Sequence, residues 1–350
     1  MTPIRFGIIG LGNIATRHAE AARKLDGGEL FACYSRDAGK AAAFADKHGC
    51  KSYSDFDAFL ADPHLDVVTI CTPSGAHLEP ALAVASAGKH VIVEKPIEVT
   101  PARSRKIIAA CRQRRVKLVA IFPSRFKDVS RAMKAAVETG RLGKLVNGSA
   151  YVKWFRNQAY YDSGAWRGTW KLDGGGCLMN QGIHAVDMLL WLMGDPVEVM
   201  AFASRPTKKR IEVETNLVAN LKFKNGALGV IEASTEIFPG YPKRIEVCGT
   251  KGTVVCVEDD LLCWDFEEKR PEDAEILQKF AVKTGAIGGA ANPMAISEEG
   301  HRRQFQELVD VLQGRQKHLT CVGAEGLRSV AAITAIYQSV RTGRRVRYRC

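Results

Sequence analysis

The sequence predicts an α/β chain in which a doubly wound parallel sheet is followed by an α/β domain with a large, mostly antiparallel sheet. Three observations carry this expectation. Short apolar runs alternate with helical patterns through the first third of the chain. The first apolar run opens directly into a glycine-rich turn. After about Phe122 the texture changes to strand-like segments in which apolar and polar residues alternate. Strands that alternate with helices imply parallel pairing, with crossovers on both faces. Period-two alternation implies an antiparallel sheet with one face open to solvent or a partner. The expected boundary divides the chain into residues 1–122 and 123–350.

In order, IRFGIIG from Ile4 is a buried strand and ATRHAEAARKL from Ala15 a helix. ELFACYS from Glu29 is the second strand, and AGKAAAFADKHG the second helix, closed by Gly49. DVVTICTP, HVIVEKP and KLVAIFP supply further strands, separated by the helical EPALAVASAGK and PARSRKIIAACRQRR. Thr100 is placed to cap the latter, with Pro101 at its first position. A helix is expected over Val129–Glu138. VNGSAYVKWF, EVMAFASR, TNLVANLKF, ALGVIEAST and RIEVCGTKGTVVCV are strands, and KNGA is a tight hairpin turn. EEKRPEDAEILQKFAVKTGAIGGAANPM is expected to be rich in loop, and the last fifty residues return to helix.

Composition narrows the function classes. The 350 residues suit two or three domains at roughly 100–200 residues each. No run approaches the roughly 18 apolar residues of a membrane span, and no signal peptide is evident. Ten cysteines form no C-x-x-C pair and no zinc-finger spacing, so free thiols in a reducing cytoplasm and no metal are expected. The formal charge of +12 comes without a nucleic-acid-binding signature. It favours an anionic small ligand or a solvated surface over nucleic acid or membrane.

The turn after strand one is Gly10-Leu11-Gly12-Asn13-Ile14-Ala15, a G-x-G-x-x-A between strand and helix. Gly10 permits the tight turn, Gly12 lets backbone approach a pyrophosphate, and the small Ala15 lets helix and strand pack closely. The helix N-terminus offers free N–H groups to phosphate. A Rossmann-type dinucleotide site follows. Strand two ends in Tyr34-Ser35-Arg36-Asp37 without an acidic residue at the usual place. Ser35 and Arg36 lean toward the 2′-phosphate of NADP over NAD; Asp37 is the alternative group, toward a ribose. Lys95 follows a buried run, which suits either acid–base work at a lowered pKa or a structural ion pair.

Gly10-Leu11-Gly12 with Ala15, Thr72-Pro73 with His77, and Glu94-Lys95-Pro96, in that order and spacing, resemble the Gfo/Idh/MocA family of NAD(P)-dependent sugar and cyclitol dehydrogenases. The stretch Gly174-Gly175-Gly176 through Asn180 and His184 to Asp187 extends the resemblance over essentially the whole chain. The resemblance implies hydride transfer between a ring hydroxyl carbon and nicotinamide, with Lys95 and His184 catalytic. It adds Thr72, Pro73, His77, Glu94 and Lys95 to Gly10, Gly12, Asn13, Ile14, Ala15, Ser35 and Arg36 around the dinucleotide. It implies a homodimer or homotetramer joined through the open sheet face.

Asn180 and His184, four apart, share a helical face, and a histidine can take a hydroxyl proton near neutrality. The glycine run is expected to allow close approach of cofactor or substrate. The family often has aspartate where this chain has Asn180, so Asn180 is read as orienting substrate, not as carrying a proton. Trp166, Arg167 and Trp170 in YYDSGAWRGTW, with Arg125, are the other expected substrate residues. Arg167 either pairs with a carboxylate or phosphate or holds the loop together. The aromatic run is similar to a subgroup typified by UDP-N-acetylglucosaminuronate 3-dehydrogenases. Two further readings are an NAD-retaining glycosidase of the same family and a non-enzymatic redox sensor.

Overall fold

The computed structural model describes residues 2–204, 206–281 and 298–350, which fall into two compact units. The first holds a six-stranded parallel sheet: β1 Ile4–Ile9, β2 Gly28–Tyr34, β3 Lys51–Tyr53, β4 Val67–Ile70, β5 His90–Val93 and β6 Leu118–Ala120. Its order is β3-β2-β1-β4-β5-β6, so the direction of winding reverses between β1 and β4. Ligands of open α/β sheets bind beyond the strand ends at such a reversal. Helices α1 Asn13–Ala22, α2 Ala38–His48, α3 Phe56–Ala61, α4 Leu78–Ser86 and α5 Pro101–Gln113 make the crossovers. The local signals act as expected. Gly49 ends α2 in the left-handed conformation, and Thr100 Oγ1 accepts from the Arg103 N–H at the start of α5. Phe6, Ile8, Val67 and Ile92 are fully buried, which stabilises the sheet by about 1.5–3 kcal/mol per side chain.

The second unit begins with α6 Asp128–Glu138 and carries an eight-stranded sheet: β7 Leu145–Lys153, β8 Pro196–Ala203, β9 Asn216–Phe223, β10 Leu228–Ser234, β11 Arg244–Gly249, β12 Gly252–Val257, β13 Asp260–Phe266 and β14 Val346–Arg347. The order is β13-β12-β11-β7-β10-β9-β8-β14; β7 and β10 are parallel and the other pairs antiparallel. The KNGA turn joins β9 to β10 with Gly226 at φ +89°. Between β7 and β8 lie α7 Gln158–Asp162, a π-helix at Cys177–Gly182, and α8 Ile183–Met193. Helix α8 packs on β7 and β11. The opposite face leaves Met200, Phe202 and Val218 exposed.

Two expectations need correction. The segment read as loop-rich contains α9 Pro271–Phe280. Its start is held by Asp273, which accepts from the Arg270 N–H and pairs with Arg141, far away in sequence. The rest of that segment, 282–297, lies outside the described residues. The expected second domain is also not continuous. The first unit runs to Pro123 and takes in a later segment ending at Leu327, which includes α10 Glu299–Leu312. Phe305, Leu308 and Val309 of α10 are buried with Phe6, Ile8 and Ala19, and the Phe6 and Phe305 rings stack at 5.7 Å. Periodicity shows that a helix has an apolar face; it does not show which sheet that face covers. The final helix, α11 Gly323–Thr342, begins in the first unit and passes into the second at Arg328.

Candidate active site

At the sheet reversal the chain leaves β1 through Gly10, whose φ is +87°. A Cβ there would lie 2.7 Å from the Thr72 backbone nitrogen, so Gly10 is required by the turn and by the neighbouring loop. Gly12 differs. Its φ is −86°, and a Cβ there would meet nothing within 4 Å. Among the described residues nothing demands glycine at this position, and the open space leaves the backbone accessible to a ligand. Gly12 caps α1 without any side-chain hydrogen bond, and although the Ala15 N–H donates to the Gly12 carbonyl, those of Asn13 and Ile14 are placed for an anion. Gly12 and Asn13 are exposed, Ile14 half-buried, and Ala15 fully buried against the sheet. These residues fit a dinucleotide pyrophosphate. At the end of β2, Asp37 caps α2 by accepting from Lys40 N–H, and its own N–H donates to Ser35 Oγ. Arg36 is exposed beside them.

Two loops border this turn. Thr72 Oγ1 donates to the Ala76 carbonyl, and Pro73 precedes a short 3-10 turn. Lys95 is half-buried, and the Lys95–Pro96 peptide is cis. His77 and Glu94 were expected to touch the dinucleotide; the structure instead turns both inward. His77 is 1% exposed, with Nδ1 and Nε2 each 2.9 Å from the carbonyls of Pro96 and Thr72. It joins the two loops from beneath, and burial lowers its pKa. Glu94 Oε1 lies 2.8 Å from His18 Nε2, and Oε2 accepts from the Lys95 N–H. A carboxylate only accepts, so His18 carries its proton on Nε2, and Nδ1 accepts from Thr69 Oγ1 at 2.7 Å. Burial pushes the Glu94 carboxyl up, but the His18 and His301 imidazoles outweigh this and hold it well below the usual range. The ligand atoms of His18, Glu94 and His301 lie within 4.8 Å of one another. Glu94 already spends both oxygens on His18 and the Lys95 backbone.

In the second unit the glycine run has a reason the sequence does not disclose. A Cβ on Gly176 would lie 1.7 Å from the Glu214 carbonyl oxygen, and one on Gly175 would lie 2.1 Å from Tyr337 Oη. Gly176 is required by the Glu214 backbone and Gly175 by the Tyr337 side chain, so packing within the chain already accounts for these two glycines, which had been expected to allow the approach of a ligand. Glu214 is buried and accepts from the Gly176 and Leu178 N–H groups and from Tyr337 Oη–H, at 2.8–2.9 Å. Burial raises its pKa. These bonds fix the start of the π-helix on which Asn180 stands, with half-buried His184 in the first turn of α8. The wide turn departs from the regular helix expected across both residues; such turns recur at functional sites.

The aromatic loop folds back on itself. Arg167 lies over the Tyr160 and Trp166 rings, at 4.3 and 4.4 Å from their centroids. Its Nε donates to Ser163 Oγ and its Nη1 to Tyr160 Oη. The loop-holding role is therefore present. Tyr160 also accepts from Gln181 Nε2. Trp170 is 42% exposed, its indole N–H on the Glu212 carbonyl. Arg125, expected as a substrate residue, is 2% exposed and holds Asp187 with two bonds of 2.7 and 2.8 Å. It locks α8 from below, because a buried guanidinium needs a buried carboxylate. Sequence reasoning missed Asp173, Glu214 and Tyr337. Asp173, directly before the glycine run, carried the one local signal.

A dinucleotide turn at a sheet reversal, followed by a sheet domain with a glycine-led histidine helix, defines a nicotinamide-dependent oxidoreductase. Comparison with known proteins supports this class. Residues 4–122 match the oxidoreductase family with NAD-binding Rossmann fold, and residues 130–255 match the GFO/IDH/MocA C-terminal domain. The chain is 34% identical to the myo-inositol 2-dehydrogenase of Thermotoga maritima, over 84% of this chain and 93% of the relative. It is 30% identical to the 1,5-anhydro-D-fructose reductase of Ensifer adhaerens, over 85% and 92%. Among solved structures, the WlbA dehydrogenase of Bordetella pertussis in complex with NADH and UDP-GlcNAcA is 32% identical with a TM-score of 0.90, covering 100% of this chain and 99% of that one. The chain belongs to the Gfo/Idh/MocA oxidoreductase family. Its relatives are sugar, cyclitol and nucleotide-sugar dehydrogenases.

Proposed function

We propose that this enzyme oxidises a ring hydroxyl of an anionic, nucleotide-linked sugar of the UDP-N-acetylglucosaminuronate type. The observation that carries this reading is the end-to-end likeness to the WlbA dehydrogenase. The guanidinium of Arg167 adds to it: held over two rings, with Nε and one Nη1 hydrogen on Ser163 and Tyr160, it leaves its Nη1–Nη2 edge for a carboxylate or phosphate. Bound dinucleotide would supply the hydride acceptor. The N-terminus of α1 holds its phosphates, His184 takes the hydroxyl proton, and Lys95 orients the hydroxyl oxygen. Ser35 and Arg36 support acceptance of NADP, because Asp37 is committed to capping α2.

The test is to incubate purified protein with NAD and with NADP against UDP-N-acetylglucosaminuronate, UDP-N-acetylglucosamine, myo-inositol and free sugars, following reduced-nicotinamide absorbance. Turnover confined to the uronate is expected. Turnover of myo-inositol alone would move the enzyme beside its cyclitol-oxidising relative. Arg36→Ala should weaken NADP more than NAD, since only NADP loses a charge-assisted contact. Equal weakening would assign the choice to Asp37.

We also propose that Met200, Phe202 and Val218, exposed on the outer face of the large sheet, meet a second copy of the chain in a homo-oligomer.

A further inference from the structure

The asparagine that stands in place of the family's aspartate is paired with a carboxylate from outside its helix. Asn180 Nδ2 lies 2.6 Å from Asp173 Oδ1. The other oxygen, Oδ2, accepts from the Gly168 N–H at 2.9 Å. Asp173 is 3% exposed. A carboxylate only accepts, so the amide turns its NH2 group to Asp173 and its oxygen to the opposite edge. Gly168 follows Arg167 directly, so one buried carboxylate ties the aromatic loop to the π-helix.

We propose that Asp173 is a positioning residue that sets the polarity of Asn180, making it a neutral acceptor for a ring hydroxyl of an anionic sugar. This rests on the dehydrogenase reading above. On this reading the negative charge lies on Asp173, on the NH2 side of the amide, and the amide oxygen turned toward the substrate is neutral. The two positions are one choice: an aspartate at 180 would face Asp173 at hydrogen-bond distance, and two carboxylates that close keep a proton between them. Asparagine at 180 is compatible with aspartate at 173 without a shared proton.

The test compares the wild type, Asp173→Asn, Asn180→Asp and the exchanged pair Asp173→Asn with Asn180→Asp. The first readout needs no substrate. In 15N-labelled protein the Asn180 side-chain NH2 signals, identified by their loss in Asn180→Asp, should shift when Asp173 becomes asparagine. Unmoved signals would overturn the pairing. The second readout is kcat and KM for UDP-N-acetylglucosaminuronate across pH. Asp173→Asn should lower kcat/KM roughly 10- to 100-fold, because one amide oxygen cannot serve both the Gly168 N–H and the Asn180 NH2. Asn180→Asp should add an ionisation to the pH profile. The exchanged pair keeps one acid and one amide, so Tm should recover while the wild-type pH profile does not. Full recovery of both would reduce Asp173 to a structural residue and overturn the proposal. If the wild type leaves this sugar untouched while the amide signals behave as expected, the substrate assignment fails and the polarity stands.

Discussion

Two glycines two residues apart do different work. Gly10 is fixed by its own backbone and by the Thr72 loop, whereas the space above Gly12 is open. Gly12→Val should therefore fold, at a cost of about 1 kcal/mol for a poorer helix cap, and should lose dinucleotide binding. NADH fluorescence titration and thermal melting together check this; retained affinity would remove the loop from the cofactor site. His184→Asn and Lys95→Ala should each lower turnover by at least about 10²-fold, the low end for a positioned acid or base, while NADH binding survives because neither residue belongs to the phosphate site. Near wild-type kcat in both would return the two residues to structural roles. His77 and Glu94 show where residue-level reading runs out. Both stand in the motifs that mark the family, yet both spend their polar atoms inside the protein. Adjacency in sequence to a site does not decide whether a side chain faces it.

At the scale of the element, the strand–turn–helix of β1 and α1 was fully legible, because each of its requirements is local: a buried run, a tight turn, a small residue at the packing contact. The π-helix was not. Its geometry depends on Glu214 and Tyr337, which arrive from β9's leading edge and from α11. Glu214→Gln leaves an amide that cannot accept from both the Gly176 and the Leu178 N–H. An unsatisfied buried donor costs about 1–3 kcal/mol. The variant should lose that much stability in denaturant melts and also show a lowered kcat with unchanged NADH affinity. Lowered stability with an intact kcat would mean that the π-helix tolerates movement without loss of chemistry. Helix α9 was illegible for a related reason: its first turn is secured by Arg141, 132 residues away from Asp273.

Across the whole molecule, the large sheet divides its residues by side. Leu217, Ala219 and Leu221 of β9 face inward and are buried, while Val218 faces out beside its cross-strand partner Phe202, 66% exposed. In the proposed homo-oligomer, this exposed apolar patch is the surface that a second copy covers. Phe202→Glu should leave the monomer folded and lower the mass measured by light scattering coupled to size-exclusion chromatography. An unchanged mass would place the interface elsewhere or nowhere. Arg125 and Asp187 mark the opposite face of the same design, a buried ion pair that holds α8. No helix among the described residues is long and apolar enough to cross a membrane.

The sequence by itself determined the alternation of strands and helices in the first third of the chain and the strand–turn–helix of the expected dinucleotide site, while Lys95 and His184 were expected to carry the chemistry through the family resemblance. The alternation and the turn follow from short-range rules: periodicity, capping, and glycine where backbone must turn or be approached. Only the tertiary structure decided that α10 returns to the first sheet, that the glycine run packs on Glu214 and Tyr337, and that Arg125 is spent on Asp187. It also decided that Asn180 pairs with the buried Asp173. Each of these depends on a partner distant in sequence or on the direction a side chain takes, and burial and hydrogen-bond satisfaction settle such questions only once the chain has closed on itself.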